Sequence, residues 1–286
     1  MHAPFPLSGN AGTPGSDLVE AVRAHYDRLA FFYHAFWGEH IHHGYWEADE
    51  SPEAAQVRLV ARLAERAAIP QGARVLDVGC GFGGSALWLA RHRGCGVTGI
   101  TISPVQVRRA NEQARAENLA DRVRFLVMDA NRLNLPPASF DVVWVVECSE
   151  HLADKAGFID ACARALRPGG RLALCAWLTA DTPSPGQARL VAEVCRGMLC
   201  PSLASREDYA GWMRASGFAD VVAEDITRRV ERTWAYCSAV VERPAVRALR
   251  RVIDAQTGAF LRSFAAIRRA YAEGAMAYGM FTARRA

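Results

Sequence analysis

Along the first quarter of the chain apolar residues recur at helical spacing. Leu18, Val22, Tyr26, Leu29 and Phe32 share one face of a helix predicted from Asp17 to about Tyr33, with Ser16 or Asp17 as N-cap. The same period returns from Pro52 to Ala68. Between the two lies FFYHAFWGEHIHHGYW (31–46), with seven aromatics and four histidines in sixteen residues. After Pro70-Gln71-Gly72 the pattern changes. ARVLDVG (73–79) is a short β-rich run of the kind buried on both faces of a parallel sheet, and glycines follow it. Strand and helix then alternate: GVTGIT (96–101), helix Pro104–Asn118, RVRFLVMD (122–129), FDVVWVVE (140–147), helix Lys155–Ala165 closed by RPGG (167–170), and RLALCAWL (171–178). Strands separated by helices of that length imply right-handed crossovers in a parallel sheet, an α/β fold.

Beyond residue 180 the rhythm breaks. A polar, proline-containing connection (181–186) leads into a helical stretch to about Leu199. Helix 205–216, ended by Gly217, precedes FADVVAEDIT (218–227), a sixth strand; 232–273 is helical, and AMAYGMFTAR (275–284) is the last strand. An insertion of roughly 45 residues between the final strands is too large for a turn. The predicted organisation is a disordered Pro/Gly/Ser-rich tail (1–16), an N-terminal helical lid (17–69) and a core (70–286). Lid insertions at about 181–204 and 228–274 would cover the carboxyl edge of the sheet.

Composition narrows the function. A chain of 286 residues with 51% hydrophobic content builds its own core. Net charge is +4 from 34 basic and 30 acidic residues spread along the length, so nucleic acid is not expected as a partner. Eight cysteines show no CxxC pair and no spacing for a tetrahedral site, and adjacent His42 and His43 project divergently, so no metal is expected. No apolar run reaches the roughly 18–20 residues of a membrane span, and the N-terminus lacks the pattern of a signal peptide. A soluble protein of the reducing cytoplasm is expected.

The chemistry is carried by VLDVGCGFGGSA (75–86). The first strand delivers Asp77, and Gly79, Gly81 and Gly83 let the backbone approach a ligand before a helix opens at about Ser85. Gly79, Gly81 and Gly84 also fit the spacing of dinucleotide enzymes. Three further features point elsewhere: the acid within DVGCG, the pair Asp129-Ala130 closing the third strand, and ALRPGGRLAL (165–174) as a turn before the fifth.

With those blocks in that order, the sequence over about residues 20–285 resembles the class I S-adenosylmethionine methyltransferases. That resemblance implies a Rossmann-like, seven-stranded, mostly parallel sheet with helices on both faces. It implies that Gly79, Cys80, Gly81 and Gly83 hold the methionine moiety, that Asp77 orders this loop from beneath, and that Asp129 and Ala130 lie against the adenine. The chain departs from the common pattern at the end of the second strand, where Thr101 stands in place of a ribose-gripping acid. GITISPVQ (99–106) is instead similar to tocopherol O-methyltransferases and sterol C-methyltransferases, which implies that Thr101, Ile102 and Gln106 hold the ribose through neutral contacts. YDRLAFFYHAFWGEHIHHGYW (26–46) and VVECSEHLADK (145–155) look like the tocopherol O-methyltransferase group, which includes plant alkaloid N-methyltransferases.

The remaining candidates follow from position. His42 is expected near the methionine end of the cofactor, where aromatic faces would also suit a sulfonium. Tyr33, Trp37, His43, Tyr45, Cys148 and His151 are expected at the acceptor. Glu147 and His151 follow the fourth strand at the carboxyl edge; Glu147 is expected at both cofactor and reacting centre, and His151 is either a base for the acceptor's proton or the cap of the next helix. The expected function is methyl transfer from S-adenosylmethionine, leaving S-adenosylhomocysteine, to a small, largely apolar acceptor such as a phenolic or secondary-metabolite hydroxyl. C- or N-methylation of an isoprenoid or alkaloid-like molecule is the alternative, and a non-catalytic cofactor-binding module the remote one. The sequence leaves a homodimer open.

Overall fold

The computed structural model describes residues 16–133, 135–243 and 254–286. The predicted tail, but for Ser16, and residues 244–253 of the second insertion lie outside the described residues.

The first strands are short and apolar, as a central parallel sheet requires. They are β1 (Arg74–Val78), β2 (Gly96–Thr101), β3 (Val123–Val127), β4 (Phe140–Val146) and β5 (Leu166–Thr179). Helices α3 (Gly84–Arg93), α4 (Pro104–Ala116) and α5 (Lys155–Ala165) occur among them. Alternate side chains of one strand enter two cores. Val75 and Trp144 pack on one face with α2 (Pro52–Arg66), whereas Leu76, Val78 and Val143 face α5 and α7 (Arg206–Ala215).

The sheet order is β3-β2-β1-β4-β5-β7-β6, with β6 at Phe218–Asp225 and β7 at Met276–Arg285. The first five strands pair in parallel, and β7 inserts antiparallel between β5 and β6. The sheet is therefore seven-stranded and mostly parallel. RPGG lies within β5 rather than before it. Phe140 pairs with Leu166 and Val142 with Arg171, so residues 167–170 bulge opposite Asp141, with Gly169 at φ +75°. The Asp141 carboxylate pins this bulge by accepting from Arg74 N and pairing with Arg167.

The third strand ends earlier than predicted because Asp129 leaves the sheet, its side chain accepting from Asn131 N at 2.9 Å to start a 3-10 turn, Ala130–Arg132. The first helix runs further, α1 spanning Ser16–Trp37, so half of the aromatic-rich segment is helical. The late insertions form α6 (Pro185–Met198), α8 (Thr227–Val230), α9 (Arg232–Val241) and α10 (Ala255–Ala272). Among the described residues no helix is long and apolar enough to cross a membrane.

Candidate active site

Strand order reverses at β1, which lies between β2 and β4. The carboxyl ends of parallel strands part at such a point and leave a crevice. The loops after β1, β2, β3 and β4 carry Gly79, Thr101, Asp129 and Glu147 to its mouth. A cavity of about 740 Å³, its open mouth included, collects Gly79, Gly81, Thr101, Ile102, Gln106, Asp129, Ala130, Glu147 and Cys148. Val19, Val22 and Tyr26 of α1 roof it.

The glycine loop is held to β2, Gly79 N and Cys80 N both donating to Ile100 O at 2.9 and 3.0 Å. Gly79, at φ +76°, has no alternative, because a Cβ there would fall 2.5 Å from Cys148 Cβ. Gly81, at φ +54°, differs: its Cβ would meet only Ile41 Cδ1 at 4.0 Å and would project into the free space. Asp77 sits beneath, buried, with Oδ2 unpartnered, and burial pushes its carboxyl up to about 7. It lines a side chamber of about 320 Å³ with Cys80, Gly81 and His42. An unpaired buried acid beside open glycine backbone fits the amino-acid end of S-adenosylmethionine, whose ammonium would supply the missing partner.

At the other end, Thr101 Oγ1 donates to Gln106 Oε1 at 2.7 Å and accepts from Ser103 N at 3.3 Å. This leaves the Gln106 amide N–H groups as the donors that position can offer a ribose. Ser103 caps α4 and donates to Asp27 Oδ1, tying the roof helix to the same corner.

A second cavity, about 610 Å³, adjoins the first and shares Tyr26, Ile41, Glu147 and His151 with it. Tyr33, Trp37, His42 and His43 line it, with Trp177 and Trp234. Glu147 sits at the junction with φ +51°, a backbone conformation costing a non-glycine residue roughly 1 kcal/mol. Its Oε1 accepts from His43 N (2.7 Å), His43 Nδ1 (3.0 Å) and the Tyr278 hydroxyl (2.8 Å), and its Oε2 from Trp177 Nε1 (2.8 Å). Burial opposes ionisation, but the hydrogen bonds from His43 outweigh it and hold the carboxyl below the usual carboxylate range. The Trp234 indole can only donate, so its 2.7 Å bond to His43 Nε2 fixes that imidazole as the neutral Nδ1–H form.

His151 ends a 3-10 turn, Ser149–His151. Its Nδ1 lies 3.1 Å from Leu199 O and its Nε2 3.1 Å from the Tyr26 hydroxyl. A carbonyl only accepts, so Nδ1 carries the proton and Nε2 presents a lone pair to Tyr26. Burial lowers the His151 pKa and raises that of Tyr26, which keeps both neutral. His151 is not the helix cap, since Asp154 caps α5 by accepting from Gly157 N.

Two expected residues stand apart. Tyr45 lines neither cavity; its backbone N–H donates to Ala55 O, and the Arg229 guanidinium lies 5.8 Å from its ring centroid. Gly83 is outside as well. It starts α3 at φ +90°, and a Cβ there would lie 2.5 Å from Phe125, so it packs on that ring rather than lining the cavity. Cys148 borders the first cavity rather than the second. Sequence reasoning placed Glu150 at the carboxyl edge without giving it a role, and missed Tyr26, Trp177 and Trp234. Tyr26 reads as one member of a helical stripe and Trp177 as strand core; only VVECSEH, where Glu150 neighbours His151, carried a signal.

Residues 76–174 match the family model described as a methyltransferase domain. The chain is 38% identical over 264 residues to 27-O-demethylrifamycin SV methyltransferase of Amycolatopsis mediterranei (strain S699), covering 91% of this chain and 95% of that protein. It is 31% identical to the chloroplastic tocopherol O-methyltransferase of Arabidopsis thaliana, over 78% of this chain and 70% of that one. Among solved structures, the [4+2]-cyclase SpnF superposes with a TM-score of 0.80 at 28% identity, covering 92% of this chain and 94% of the other.

Proposed function

Since the chain belongs to the methyltransferase family, as its near full-length match to a methyltransferase shows, we propose that its two joined cavities bring S-adenosylmethionine against a small apolar acceptor bearing a hydroxyl. The enzyme is an S-adenosylmethionine-dependent methyltransferase acting on small molecules. One observation carries the proposal: the cavity at the glycine loop and the aromatic one meet at Tyr26, Ile41, Glu147 and His151. Both curated relatives named above are named for methyl transfer, one to the 27-O position of a rifamycin and one to tocopherol oxygen.

When bound, S-adenosylmethionine supplies an electrophilic methyl group on a positively charged sulfur. The protein's part is alignment and exclusion of water. The α1 roof closes the first cavity from above through Val19, Val22 and Tyr26. Glu147, already met by four donors, would serve as a fixed negative charge at the junction of the two cavities rather than as a base. The proton of the acceptor hydroxyl has a route: to the Tyr26 oxygen, as Tyr26 passes its own proton to His151 Nε2. The imidazolium so formed keeps its Nδ1–H on Leu199 O.

Calorimetric titration with S-adenosylmethionine and then S-adenosylhomocysteine tests the cofactor assignment; micromolar binding of both is expected, and binding of neither overturns it. A labelled-methyl assay over phenols, isoprenoids and amines then tests the acceptor. Transfer to a phenol supports the reading, and transfer confined to an alkene carbon or an amine replaces it.

A further inference from the structure

The aromatic cavity holds a carboxyl that the mechanism above does not use. Glu150 is 2% exposed and lines that cavity. Its Oε1 accepts from Trp177 N at 2.6 Å, while Oε2 has no partner. Lys155, whose charge acts on it, forms no ion pair with it among the described residues: Lys155 Nζ is buried and donates to Leu152 O at 2.7 Å. A buried polar atom left without a partner is costly, and in a residue that lines a ligand cavity it is satisfied most simply by the ligand.

The rest of the lining says what that ligand is. Glu147 supplies a full negative charge. The four histidines are uncharged: burial brings His25 down to about 4 and lowers His42 and His151, and the Trp234 indole holds His43 neutral. No Arg or Lys is among the described residues lining the cavity. A phosphate or carboxylate placed there would find no counter-charge and would face Glu147 across aromatic walls. Burial, reinforced by Glu147, pushes Glu150 up to about 8, so at neutral pH its free oxygen carries a proton to donate.

We propose that Glu150 is a specificity-determining residue that donates a hydrogen bond through Oε2 to an uncharged oxygen of the acceptor, and that the cavity takes oxygenated, otherwise apolar molecules bearing no phosphate or carboxylate. This rests on the methyl-acceptor reading of the same cavity.

The test uses the full chain with S-adenosylhomocysteine present and a matched pair of probes, 1-naphthol and 1-naphthyl phosphate, measured by calorimetry. Naphthol is expected to bind and the phosphate to bind at least tenfold more weakly. Glu150→Leu should weaken naphthol at least tenfold with S-adenosylhomocysteine affinity unchanged, the latter also reporting that the variant folds. Glu150→Gln keeps an acceptor for Trp177 N and offers an N–H donor, and should retain most of the affinity. Equal or tighter binding of the phosphate, binding of neither probe, or a Glu150→Leu variant that takes naphthol as well as the parent overturns the inference. Wild-type protein that fails to bind S-adenosylhomocysteine overturns the underlying reading instead, so the two failures are distinguishable.

Discussion

The Tyr26 hydroxyl lies 3.1 Å from Nε2 of His151, joining α1 to the turn after β4 across 125 residues of chain. The bond sits where the two cavities meet, so it is placed to act on the reacting group rather than on cofactor affinity. Tyr26→Phe keeps the ring and removes the proton donor. Turnover should fall by about 10- to 100-fold, the range of a lost proton-transfer partner, while the S-adenosylhomocysteine dissociation constant stays within about threefold. His151→Ala should show the same split. Single-turnover rates set beside calorimetric affinities check both, and a variant with unaltered turnover would remove His151 from the chemistry.

The two loop glycines should fail in different ways. Gly81→Leu has room in the ligand-free protein, at a strain of about 1 kcal/mol from its positive φ, yet its side chain would occupy the cofactor cavity. We expect a folded protein that no longer binds S-adenosylmethionine. Gly79→Ala drives a methyl into Cys148 and should lower the melting temperature itself by several degrees. Thermal melts with and without cofactor separate the two; a Gly81→Leu variant with parental affinity would sink the loop assignment.

Asp77 makes a pH-dependent prediction. Burial raises its carboxyl from 3.8 to about 7, so the folded state holds a proton that the unfolded state has lost, and stability falls as pH rises from about 4 through 7. Asp77→Asn removes that penalty. The ligand-free variant should melt about 3 °C or more above the parent at pH 8, with little difference at pH 4, and should bind S-adenosylmethionine at least tenfold more weakly. Lower stability at pH 8 would mean that Asp77 has a partner.

Glu147 behaves oppositely. Its pKa is depressed below the ordinary 4.5, so its ionised form stabilises the fold above pH 4.5, and that contribution disappears as pH falls through the lowered pKa. Glu147→Gln should cost about 2 kcal/mol at pH 7, the scale of hydrogen bonds to a charged group, and progressively less below pH 4. Denaturant melts at three pH values measure this, and a pH-independent cost would contradict the ionised network.

What could be read from the sequence was whatever is local along the chain. The glycine loop follows β1 directly, Thr101 ends β2, and Glu147 and Asp129 come one and two residues after β4 and β3, so one periodicity pointed to all four edges of the crevice. Contacts across the chain were illegible. Tyr26 is one residue in an ordinary amphipathic stripe, and nothing in its neighbourhood points to His151. Tyr45 was misplaced because residues 38–51 lack a period that would fix which way a side chain faces. RPGG reads as a turn because its residues favour one, yet the ladder on either side of Asp141 carries β5 through it as a bulge. The glycine motif by itself could not separate Gly81, which opens onto ligand space, from Gly83, which abuts Phe125.

The antiparallel strand β7 also bears on how the protein is made. It lies between β5 and β6, and β6 pairs with β7 alone among the described strands. During synthesis the five parallel strands can assemble as they emerge, but the flank of β5 and the whole of β6 stay unpaired until residues 276–285 leave the ribosome. That interval exposes open strand edges to other nascent chains. Tyr278, which donates to Glu147, lies on this strand, so the Glu147 carboxylate gains its full set of donors only when β7 has been made.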